Sequence, residues 1–135
     1  MRLPVVLTPR VVQNFVLQKV STNFVLKELS KLKVTKAFGP DGLTARLLKD
    51  AAPVIAKPIT YLVNPSTIST GLIPAKWKDA RVTATFKAGA RKDVNNYQAI
   101  SVLSLVSKIM ESAIQEQLLA FLTQHDLLSI YQSGF

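Results

Sequence analysis

The sequence contains no cysteine and a single histidine, His125. A disulfide framework and a thiolate metal site are therefore excluded, a zinc centre lacks ligands, and the redox compartment is not readable from thiols. Acidic residues are few, 8 against 17 Lys and Arg, and Asp41, Asp50, Asp79, Asp93 and Asp126 are scattered along the chain. No stretch approaches the run of about 18 apolar residues that marks a membrane-spanning helix. Pro4, Pro9 and Arg10 interrupt the apolar opening, so a signal-peptide core is not expected there. These absences lead to the expectation of an intracellular chain with no membrane partner.

What is present is apolar and basic. A length of 135 residues with 48% hydrophobic content is enough for one domain with a small core. The formal charge of +9 and a pI near 10.1 favour nucleic acid or another acidic surface as partner, although net charge does not name the ligand.

Residues 1–20 carry no dependable periodicity and are left unassigned. Ser21, Thr22 and Asn23 are good helix N-caps, and Val25, Leu29 and Leu32 follow at helical spacing, which predicts a helix ending near Val34. Gly39, Pro40 and Gly42 stop it, with Asp41 as an Asx-type turn former. Leu43, Leu47 and Leu48 indicate a short second helix. Pro53 suits the first turn of a third, carried by Val54, Ile55, Ile59, Leu62 and Val63 and ended by Gly71 and Pro74. Pro58 and Pro65 conflict with that helix, since an interior proline costs about 3 kcal/mol.

Val82, Ala84 and Phe86 alternate with Arg81, Thr83, Thr85 and Lys87, the pattern of a half-buried strand, and Gly89, Asp93, Asn95 and Asn96 supply turn chemistry before a second apolar run. Lys76, Lys78, Arg81, Lys87, Arg91 and Lys92 stand in or beside this hairpin, against Asp79 and Asp93. Trp77 and Tyr97 are expected to pack beneath it. Finally, Val106, Ile109, Met110, Ala113, Ile114, Leu118, Phe121 and Leu122 form a helical stripe with Lys108, Glu111, Gln115 and Glu116 opposite, stopping near His125 and Asp126. His125 reads as a helix-end residue. The fold class is α+β, mostly helical with one antiparallel β-hairpin.

Four blocks stand in order: KAFGPDGLTARLLKDAAP, STGLIPAKWKDARVTATFKAGARKDVNNYQAIS, VSKIMESAIQEQLLAFL and LLSIYQSGF. Together they resemble the N-terminal, fingers-side part of the reverse transcriptase of non-LTR, LINE-type (jockey-like) retrotransposons, over residues 21–135. The resemblance implies a partial reverse transcriptase domain, the incomplete fingers and palm edge of a right-hand polymerase. The magnesium-binding palm aspartates of the family are expected after the QSGF element, so the chain is expected to be cut mid-domain, with no cofactor and no catalysis of its own. RNA template and DNA primer are the implied partners, together with the remainder of the polymerase or a partner covering the apolar helix face. A nuclear location is suggested by how such elements insert.

The resemblance also assigns residues. Lys87 matches the basic position of the first hairpin strand that approaches the incoming triphosphate. Gln98 stands where the family's arginine is usual, and Ala99 where its proline is usual, with Arg91 and Lys92 as further phosphate candidates. Glutamine cannot form the charged, planar fork that grips phosphate oxygens. This departure, with Pro65 in place of an apolar residue, suggests a decayed copy of a mobile element. Gly39, Asp41 and Gly42 are candidates for a template-binding loop. Lys108, a cation near a helix start where the dipole disfavours it, hints at an outside partner and joins them. Two other readings remain: an independent small basic nucleic-acid-binding protein, and a helical module binding a partner through the Val106 to Leu122 stripe.

Overall fold

The computed structural model describes residues 13–128, less the side chains of Ser66 and Thr67. The unassigned segment up to residue 12 and the QSGF element lie outside the described residues. Helix α1 (Thr22–Ser30) starts where Ser21 accepts a hydrogen bond from the Phe24 N–H at 3.1 Å. It stops short of Val34, because the Leu32 N–H turns back to the Leu29 carbonyl and tightens the last turn. Helix α2 (Ala45–Asp50) is capped in the same way by Thr44, and α3 (Ala52–Val63) carries Pro53 in its first turn.

The two conflicting prolines have different outcomes. Pro58 sits inside α3 without ending it. The carbonyl that loses its partner there belongs to Val54, which is 78% exposed and open to water. Pro65 does change the helix. Asn64–Ser69 continues as a π-helical turn instead of the single helix expected up to Gly71, since the Pro65 ring cannot follow the α-helical ladder. A four-residue helix that the periodicity does not reveal, α4 (Ala75–Lys78), follows Pro74.

Helix α5 (Leu105–Gln124) is capped by Ser104, whose hydroxyl accepts from the Val106 N–H at 3.2 Å. It ends with Asp126 at φ 51°, the Leu127 N–H reaching the Leu122 carbonyl and the Asp126 N–H reaching Thr123. This is a Schellman ending, with aspartate where glycine is usual, and His125 is its C-cap as expected.

The core is helical. Val25 and Leu29 of α1, Ala45 and Leu48 of α2, Ala52, Ala56, Ile59 and Val63 of α3, and Leu105, Val106, Ile109 and Met110 of α5 form one buried cluster. Only the first part of the α5 stripe belongs to it. Ile114 still packs against it half-buried, and farther along the stripe Leu118 is 39% exposed, as is its neighbour Leu119 at 50%.

Residues 14–20, unassigned from sequence, run as extended chain over α3 and α5. The Asn64 side-chain amide pairs with both backbone groups of Val20, at 2.9 Å each. The Gln117 amide does the same for Gln18, at 2.7 and 3.0 Å. Residues two apart in an extended chain present their backbone groups alike, so two side chains on different helices hold the segment as a neighbouring strand would.

Strands β1 (Ala80–Phe86) and β2 (Tyr97–Leu103) pair antiparallel, from Ala80 opposite Leu103 to Phe86 opposite Tyr97. The expected half-buried face is not found: Val82 is 62% and Ile100 44% exposed, on opposite faces. The alternation is real, but among the described residues no element lies across either face at mid-strand. Trp77 packs against the helical core and not beneath the hairpin, whereas Tyr97 stays on it, edge to face with Phe86 at 5.5 Å.

Candidate nucleic-acid interface

Strand register decides which side chains of the hairpin meet. Side chains alternate between faces, and directly paired residues share one. Arg81, Thr83 and Thr85 therefore stand on one face with Val102, Ile100 and Gln98. The Lys87 N–H donates to the Asn96 carbonyl at 2.8 Å, extending the ladder by one pair, so Lys87 follows Thr85 on that same face. Lys87 and Gln98 are diagonal neighbours there, at a spacing on the order of 7–8 Å, and both are exposed.

The other cations of the hairpin are placed differently. The Arg91 guanidinium lies over the Phe86 ring, 5.1 Å from its centroid, and Phe86 belongs to the opposite face. The Tyr97 hydroxyl donates to the Arg91 carbonyl at 2.9 Å and fixes the backbone there. Lys92 is exposed at the tip. Arg81 donates to the Phe38 carbonyl at 2.9 Å and stacks on that ring at 4.9 Å, fastening the base of the hairpin to the chain before Gly39. Of the basic residues read from sequence as one field, only Lys87 shares the face of Gln98 with its head group free of a ring or carbonyl among the described residues.

The ten-residue connection between the strands is internally bonded. The Asn96 amide donates to the Ala90 carbonyl at 2.9 Å, and Asp93 accepts from the Asn95 N–H and side-chain amide at 2.9 and 3.0 Å. Gly89 has φ +91°, and a Cβ there would stand 2.7 Å from the Asn96 amide nitrogen. Both the backbone conformation and the close approach require glycine.

The residues assigned to template binding are not brought together as a set. Asp41 does form the expected Asx turn, accepting from the Leu43 N–H at 3.2 Å. Gly39 is buried, and a Cβ on it would lie 2.6 Å from the Ser104 nitrogen, so its position at the β2–α5 junction depends on having no side chain. Gly42 is exposed in open space at φ +71°. Lys108 lies elsewhere, half-buried in a cleft between α1 and α5 with Glu28, Lys31, Lys36 and Ser112. Within it Glu28 pairs with Lys31 at 2.7 Å and accepts from the Ser112 hydroxyl at 2.9 Å. The Lys31 hydrogen bond, helped by Ser112, holds the Glu28 carboxyl below its ordinary value of 4.5 despite partial burial. Lys36 escaped sequence reasoning, because only the fold carries it to Lys108.

No family profile matches the chain. It is 32% identical over 123 residues to the RNA-directed DNA polymerase from mobile element jockey of Drosophila melanogaster, across 88% of this chain and 13% of that protein. It is 29% identical over 112 residues to a probable RNA-directed DNA polymerase from transposon BS of the same organism, across 82% of this chain and 12% of that protein. The chain is thus similar to jockey-like reverse transcriptases over most of its own length. It spans about an eighth of the length of these curated relatives. Among the described residues no three His, Cys, Asp or Glu side chains stand close enough to hold a metal ion. No described helix is long and apolar enough to cross a membrane.

Proposed function

We propose that this chain forms the fingers side of a retrotransposon RNA-directed DNA polymerase and that the hairpin face bearing Lys87 receives phosphate groups of nucleotide and template. One observation carries the reading. The two positions that the family resemblance assigns to the triphosphate, Lys87 and Gln98, stand next to each other on one exposed face. Lys87 offers an ammonium there; Gln98 offers only a neutral amide, which forgoes a charge-assisted contact worth about 1.5–3 kcal/mol. Phosphoryl transfer by two metal ions needs carboxylates that the described residues do not assemble. The role of this part is therefore binding and positioning, in a nuclear polymerase whose other segments supply the chemistry.

The weakened grip at Gln98 and Ala99 supports the further reading of a copy that has lost polymerase function. An apolar groove of about 580 Å³, lined by Leu43, Leu47, Ile55, Leu62 and Trp77 among others, and the exposed Leu118 and Leu119 are the surfaces against which the rest of the polymerase packs. Equilibrium binding of a deoxynucleoside triphosphate and of single-stranded RNA to Lys87→Ala tests the phosphate role. Affinity should fall about tenfold with thermal stability unchanged, because Lys87 is exposed. Unchanged affinity for both ligands would remove the hairpin from the binding surface.

A further inference from the structure

Residues 14–20 use one edge of their backbone and leave the other open. Among the described residues every hydrogen bond to this backbone falls on alternate positions. The Val16 carbonyl accepts from the Gln18 side-chain amide, and the N–H and carbonyl groups of Gln18 and Val20 pair with the amides of Gln117 and Asn64. In extended chain the N–H and carbonyl of one residue point to the same edge, and those of the next residue to the opposite edge. With Gln18 and Val20 turned toward Gln117 and Asn64, the backbone groups of Leu17 and Lys19 point away from the helices that carry those amides. No described residue pairs with them.

Unpaired groups along a strand edge are a template for another chain. Their pattern, donor and acceptor on each of Leu17 and Lys19, is matched by a peptide main chain; phosphate oxygens only accept and would face two carbonyls. Charge then selects the peptide. Lys19 is exposed and lines a cavity of about 330 Å³ with Thr22, Lys57 and Tyr61, and none of the described residues around it is a carboxylate. Glu116 lines a separate cavity of about 260 Å³ with Lys19, and the two form no ion pair. A second copy of this chain would bring another Lys19 and a formal charge of +9 to the same edge, which disfavours self-pairing. We infer that the edge formed by Leu17 and Lys19 receives an extended acidic peptide by strand addition, with a carboxylate of that peptide between Lys19 and Lys57. This surface is independent of the phosphate role proposed for the hairpin.

Amide hydrogen exchange of the full chain, read residue by residue, distinguishes the two edges. The probe is a blocked peptide of alternating valine and glutamate. In the free chain Leu17 and Lys19 should exchange quickly and Gln18 and Val20 slowly; the saturating peptide should slow Leu17 and Lys19 about tenfold and leave Gln18 and Val20 as they were. The fully N-methylated peptide, which has no main-chain donors, should give no such protection. Lys19→Glu/Lys57→Glu, both exposed positions, should weaken the acidic peptide about tenfold and admit the counterpart with lysine in place of glutamate. Slow exchange at Leu17 and Lys19 in the peptide-free chain would show the edge already covered and overturn the inference. Equal binding of the N-methylated peptide, or protection of the same two amides by single-stranded RNA and not by the peptide, would overturn it as well. Unaltered exchange at Leu17 and Lys19 throughout the peptide titration contradicts the site without bearing on the hairpin.

Discussion

The helical part and the hairpin of this chain are built on opposite terms. In the first, Val25, Leu29 and Leu105 are fully buried, and Ser21, Thr44 and Ser104 cap the helices that carry them. In the second, both faces at mid-strand are open to solvent, and order comes from the ladder, from the Phe86–Tyr97 contact and from side-chain hydrogen bonds in the connection. An isolated two-stranded hairpin is marginal in water. This one is fastened at its base by Arg81 on Phe38 and by the close approach of Gly39 to Ser104. The labour is divided: the helices supply stability, and the hairpin holds a polar, solvent-exposed face in a fixed register.

Truncations in the two regions should separate them most widely. Leu29→Ala leaves a cavity in the shared core and should cost about 2–5 kcal/mol, whereas Val82→Ala removes exposed strand surface and should cost at most about 1 kcal/mol. Thermal or urea unfolding measures both; equal losses would mean that the hairpin face is covered in solution. A smaller effect is expected where the extended segment joins the helices. Asn64→Ala removes both hydrogen bonds to Val20 and should destabilise by about 1–2 kcal/mol, with faster amide exchange at Gln18 and Val20 than in the wild type. Unchanged exchange there would show that Phe15 on Phe121, at 5.5 Å, is enough to hold the segment.

Much of this architecture was legible in the residues, for local reasons. Caps and apolar spacing act within a turn or two, so α1, the third helix with Pro53 and the long last helix could be read directly, as could the Asx turn of Asp41. The hairpin was legible through alternation and turn residues, but its burial was not, since that depends on what lies across its faces. Residues 14–20 were opaque because their partners are amides far away in sequence, Asn64 and Gln117. At the candidate site, the resemblance singled out Lys87 and Gln98, and only the register places them on one face. The side-chain geometry that turns Arg91 toward Phe86 and Arg81 toward Phe38 leaves no local signature, which is why the basic field read from sequence was broader than the one the fold presents.

Restoring the charge at one position puts the triphosphate role of the Lys87 face to a direct test. If the face shared by Lys87 and residue 98 binds triphosphate, Gln98→Arg should tighten deoxynucleoside triphosphate binding about tenfold in an equilibrium titration, with thermal stability unchanged because the position is exposed. The same substitution made in Lys87→Ala should give a smaller gain, since both side chains would act on one ligand. Gln98→Arg binding triphosphate no more tightly than the wild type would mean that this face does not receive the triphosphate.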